Sequence, residues 1–76
     1  MSILLQAIGL NIRTFRKELG ISQEELASRA ELHRTYVGAV ERGERNISAL
    51  NIEKLAEVLC VKPSRLLEYE NKNVAP

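Results

Sequence analysis

The chain has 76 residues, 45% of them hydrophobic but only 4% aromatic, and a formal net charge of +1 with no aspartate. So short a chain makes one small domain that buries roughly 60% of its unfolded surface, which favours a helical bundle with local contacts filled by Leu, Ile, Val and Ala. A charge near zero excludes a histone-like polycation, although a local basic patch used by two copies together still suffices for nucleic acid.

The opening stretch MSILLQAIGL has no basic region and no small-residue cleavage site, so no leader is expected. No apolar run approaches the ~20 residues of a membrane span, and a cytoplasmic chain is expected. Ile8, Ile12, Phe15 and Leu19 recur at spacings of 4, 3 and 4, which predicts a first helix with those four residues on one inner face. Gly20 ends it and Ile21 folds back onto it. Ser22 and Glu25 make a capping box that opens a short second helix, with Leu26, Ala27 and Ala30 inward.

A turn at residues 30–33 leads to a third helix that begins at His33 or Arg34, turns Val37 and Val40 inward and closes at Gly43. Ser48 caps a fourth helix whose inner face is Ile52, Leu55, Ala56 and Leu59. Cys60 is the one cysteine, so no disulfide forms within the chain and no cysteine cluster holds a metal. Its place in LAEVLCV predicts a buried, inert thiol. Pro63 fits the first turn of a fifth helix carrying Leu66 and Leu67. The tail, residues 71–76, is expected to fray. The expected fold is all-α: a compact five-helix bundle, one domain over 1–76 with its core at about 8–67.

Helices two and three are the informative pair. Both are short, alanines let their neighbours approach, and a three- to four-residue turn joins them, which is the geometry of a helix-turn-helix. Around them stand Ser22-Gln23-Glu24-Glu25-Leu26-Ala27, Val40-Glu41-Arg42-Gly43, Leu55-Ala56 and Leu66-Leu67. These markers resemble the Cro/C1-type (Xre-like) helix-turn-helix family, whose fold is the lambda repressor-like DNA-binding domain. Within it, HRTYVGAVERGERNIS looks most like the controller proteins of restriction-modification systems. One departure is plain: the family often has Gly at the inter-helix turn, whereas this chain has Ala30-Glu31, so Glu31 is expected in a left-handed conformation.

The resemblance implies a sequence-specific transcription regulator that binds double-stranded DNA at a near-palindromic operator as a homodimer, with RNA polymerase as a further partner. It puts helix three in the major groove, where each base pair shows a distinct donor-acceptor pattern. Arg34, Thr35, Tyr36 and Arg45 are then the candidates for base contact, and Gln23, His33 and Arg42 for phosphate contact. Gly38 and Ala39 are small enough to admit close approach. Plainer readings stay open: Arg34 and Arg45 as solvated charges, Tyr36 as packing, Gln23 as a surface helix former. Glu41 shares a side with Val37 and Val40, and the resemblance suggests an inward ion pair with Arg16. Leu66, Leu67 and Tyr69 are the candidate dimer interface. One lone His and one distant Cys make no metal site, no nucleophile is paired with a base, and neither a cofactor nor enzyme activity is expected. A phage-type repressor or an antitoxin would share these features. A helical protein-interaction module is the reading from outside DNA binding.

Overall fold

Five helices, α1 (Ile3–Leu19), α2 (Gln23–Ala30), α3 (Arg34–Glu41), α4 (Ala49–Leu59) and α5 (Pro63–Leu66), succeed one another in the computed structural model, which describes residues 2–69. The tail expected to fray lies outside those residues. Three helices start on a serine whose Oγ accepts a backbone N–H three residues on: Ser2 from Leu5, Ser22 from Glu25 and Ser48 from Asn51. Each such cap is worth about 1 kcal/mol. The first lies well ahead of the earliest inward position, Ile8, because Ile3 and Leu4 are exposed and leave no inward periodicity to read.

The ends are sharper. Gly20 is left-handed at φ 72°, and so are two residues with side chains, Glu31 at φ 60° and Cys60 at φ 61°. Glu31 thus takes the conformation that the missing turn glycine demands. Left-handed geometry costs a non-glycine residue roughly 1–2 kcal/mol. Fold-back bonds offset it, from Leu32 N–H to the Ala27 carbonyl at 2.8 Å and from Val61 N–H to the Ala56 carbonyl at 3.0 Å.

Cys60 is exposed, against the expectation of a buried thiol. It would face inward, four residues after Ala56, only if α4 continued; the chain turns there instead, and Val61 packs back onto the core. Leu19 corrects the inner face of α1 in the same way. It is 45% exposed in the last turn, while Ile21 folds back and packs, like Phe15, against the core.

Ile8 and Ile12 of α1, Leu26, Ala27 and Ala30 of α2, Val37 and Val40 of α3, Leu55, Ala56 and Leu59 of α4 and Leu66 of α5 form one buried cluster. Ile52 lies at its margin, half-buried. Gly9 brings the α1 backbone against the end of α3: a Cβ there would collide with the carbonyl oxygens of Val40 and Glu41. Leu66 is fully buried and Leu67 is 40% exposed. Leu66 therefore belongs to the core of its own chain and is removed from the candidate interface, whereas Leu67 and Tyr69 remain exposed.

Candidate nucleic-acid interface

His33 caps α3 without a side-chain bond, so the first turn of the helix is open to solvent with Arg34 and Thr35 both exposed. The opposite side is fixed. Val37 and Val40 are buried, and Glu41, the last residue of α3, meets Arg16 of α1 in a two-pronged pair. Arg16 Nε lies 2.6 Å from Glu41 Oε2, and Nη2 lies 3.0 Å from Oε1. The third guanidinium nitrogen donates to the Ile21 carbonyl at 3.0 Å, so the cation also holds the α1–α2 turn. The hydrogen bond to Glu41 raises the Arg16 pKa; desolvation opposes it, and the charge of Glu41 adds to it.

Gln23, the first residue of α2, donates its amide to Glu41 Oε1 at 2.9 Å. The carboxylate of α3 thereby receives bonds from both α1 and α2. One Gln23 side-chain donor is committed inward, while its backbone N–H sits in the first turn of α2, where helical N–H groups lack intrahelical partners. Gly38 and Ala39 are buried, contrary to the idea that they open α3 to close approach by DNA. A Cβ on Gly38 would stand 3.3 Å from Gln23 Oε1 and 3.3 Å from Arg42 Nη1, so this bare spot accommodates the two side chains that flank α3.

Tyr36 is half-buried. Its hydroxyl accepts from Asn51 Nδ2 at 3.0 Å and donates to the Asn46 carbonyl at 3.4 Å. The Arg45 guanidinium lies over its ring, 5.5 Å from the centroid, a cation–π contact worth about 0.5–1 kcal/mol at an exposed site. His33, Thr35, Tyr36, Arg45 and Asn51 line one open cleft of about 390 Å³. Arg42 is exposed and pairs with Glu44, Nε to Oε1 at 3.1 Å. The structure thus gathers Thr35, Tyr36, Arg45 and His33 beside Arg34 at the start of α3, and sets Arg42 at the far end of that helix with Gln23 of α2 flanking it at Gly38. Asn46, Asn51 and Glu44 carry no functional signal in the sequence. Asn51 stands three residues after the Ser48 cap, a spacing that signals a helix start and says nothing of a tyrosine fifteen residues earlier.

The helix-turn-helix family matches residues 12–66, which hold most of the buried core, α2, the turn at Glu31 and α3. The chain belongs to that family. Control protein C.BamHI of Bacillus amyloliquefaciens is 45% identical to this helix-turn-helix domain over 62 residues, 80% of this chain and 76% of that protein. Among solved structures, the restriction-modification controller protein C.AhdI from Aeromonas hydrophila is 48% identical with a TM-score of 0.80, covering 82% of this chain and 94% of that one. The N-terminal DNA binding domain of SinR from Bacillus subtilis is 36% identical, also with a TM-score of 0.80, over 86% and 96%. The likeness to restriction-modification controllers, carried in the sequence by HRTYVGAVERGERNIS, is therefore shown by sequence and by fold. No helix among the described residues is long and apolar enough to cross a membrane.

Proposed function

We propose that this helix-turn-helix domain is a sequence-specific DNA-binding transcription regulator of the restriction-modification controller kind, acting in the cytoplasm as a homodimer. One observation carries the reading. Helix α3 is held from behind by Val37, Val40 and the Arg16–Glu41 pair, and it presents Arg34 and Thr35 outward from its first turn. A helix fixed on one side and polar on the other is what the major groove receives.

In this arrangement Arg34 takes guanine O6 and N7, and Thr35 takes a hydrogen bond or a thymine methyl. Arg45, shelved on Tyr36, serves a base edge or a phosphate. The Gln23 backbone N–H, His33 and Arg42 serve phosphates. Exposed Leu67 and Tyr69 supply the contact between two copies. Two-fold symmetry then sets the recognition helices about 34 Å apart, one turn of DNA, on a near-palindromic site. The controlling experiment is selection of binding sites from random duplex DNA, with the chain's own upstream region as a second probe. Enrichment of a two-fold motif, present also in that upstream DNA, is the expected result. No enrichment of any sequence overturns the reading.

A further inference from the structure

We infer that Asn11 is a positioning residue for self-association: it lays the segment carrying Leu67 and Tyr69 onto the same helix that holds α3, and so fixes the spacing between two recognition helices. The inference rests on the homodimer reading and adds to it the residue that sets its geometry. Asn11 is half-buried on α1, and its Nδ2 donates twice, to the Leu66 carbonyl at 2.9 Å and to the Glu68 carbonyl at 2.6 Å. These carbonyls flank Leu67 in the chain. One turn along α1, the Phe15 ring lies under the Arg65 guanidinium at 5.4 Å. Asn11 and Phe15 therefore seat α5 and residues 67–69 on one side of α1.

Helix α5 needs this seat. It has four residues, too few for a helix to hold itself in water. Buried Leu66 anchors its end, but the exposed pair lies beyond that anchor. There Glu68 has an ion pair with Arg65 at 3.3 Å, between side chains that are both more than half exposed, and such pairs contribute little. Among the described residues, the Asn11 bond to the Glu68 carbonyl is the side-chain tie that reaches past Leu66 into the backbone between Leu67 and Tyr69.

The other side of α1 grips the recognition helix, through the close approach at Gly9 and the bidentate Arg16–Glu41 pair. The two turns of helix from Gly9 to Arg16 thus connect the reading surface to the self-association surface. A site with half-sites one turn apart needs that connection to be stiff.

The test compares the full chain with its Asn11→Ala variant in sedimentation equilibrium, and on operators whose half-sites are separated by spacers of varied length. The variant is expected to dimerise about tenfold more weakly, the scale of a lost pair of hydrogen bonds, while keeping a cooperative thermal transition. Its affinity for an isolated half-site is expected to be unchanged, and its preference among spacers broader. An unchanged dimer constant with unchanged spacer preference overturns the inference. So does a fall in half-site affinity equal to the fall in dimerisation, because that marks general loss of structure. A wild-type chain that stays monomeric at concentrations filling the operator overturns the homodimer reading itself, and this inference with it. If Asn11→Ala does not fold, Asn11→Gln, with the same two donors one methylene farther out, is read against the same outcomes.

Discussion

Gln23 Nε2 and Glu41 Oε1 lie 2.9 Å apart, joining the first residue of α2 to the last of α3 through a carboxylate that Arg16 already holds. Replacing Glu41 by Ala strands the Arg16 cation in a site where it is nearly buried, and the expected loss is about 3–5 kcal/mol in urea unfolding. Gln23→Ala removes a neutral donor from a charged acceptor that keeps both Arg16 bonds, at about 1.5–3 kcal/mol. The pH dependence has a definite sign. A cation whose folded-state pKa is raised stabilises fully below its unfolded pKa and loses that contribution only as pH climbs through the folded one. For Arg16 that window lies above the ordinary arginine range, so stability measured from neutral pH to pH ~10 shows no loss from this group.

Much of this frame is legible in the sequence, because it rests on local rules. Ser22 three residues before Glu25, Ser48 before an apolar period of helical spacing, and Pro63 at a first turn each announce a helix start. Leu19 and Cys60 depart from the periodic pattern for one shared reason. Periodicity counts apolar residues and does not register where the backbone turns left-handed, and at both helix ends the residue that folds back (Ile21, Val61) takes the core position. The contacts of the site are harder to read. Asn11 meets Glu68 across 57 positions and Asn51 meets Tyr36 across 15, and only the packed fold brings such polar pairs together.

Gly9 has a role that no turn requires. It lies inside α1, where glycine costs about 1 kcal/mol relative to alanine. Gly9→Ala would gain that propensity, yet its Cβ would meet the Val40 and Glu41 backbone oxygens, which cannot swing aside as a side chain can. The variant is expected to be destabilised by about 1–3 kcal/mol. Urea denaturation measures it, and a variant more stable than the parent would show that α1 and α3 pack farther apart.

Glu31→Gly supplies the glycine that the inter-helix turn lacks. At φ 60° it relieves roughly 1 kcal/mol of left-handed strain, part of which is lost to the greater freedom of glycine in the unfolded chain. The expected net gain is a few tenths of a kcal/mol to about 1 kcal/mol. A raised melting temperature is the predicted outcome, with modestly tighter binding to every DNA sequence alike, since Glu31 lines the cleft beside His33, Thr35 and Arg45 and the change removes a negative charge there.

Salt titration measures how few phosphates the domain neutralises. Its net charge is +1, and Arg42 enters the encounter already paired with Glu44. Gln23 brings hydrogen bonds without charge. With Arg42 and Arg45 as the cations on phosphate, log K is expected to fall with log salt by about 2 per monomer, at roughly 0.9 per neutralised phosphate. A slope near zero would contradict the placement of these side chains. Glu44→Gln, which releases Arg42, is expected to tighten binding to every sequence alike.

Arg34 and Val37 stand one helical turn apart, yet their substitutions are expected to act on different quantities. Val37 is fully buried where α3 packs on α1 and α2, so Val37→Asp places an unpaired charge in the core and unfolds the domain, as circular dichroism would report. Arg34 is exposed in the first turn, and Arg34→Ala is expected to leave the melting temperature within about 2–4 °C. Its cost falls on binding. Loss of a bidentate contact to guanine is worth about 1–3 kcal/mol on the operator and relaxes preference at one base position in each half-site, with little effect on scrambled DNA. A phosphate contact would weaken both DNAs by the same factor. Titrating the variant against operator and scrambled duplex at one salt concentration separates the two. Equal losses would assign Arg34 to the backbone and leave readout to Thr35 and to Arg45 on its Tyr36 shelf.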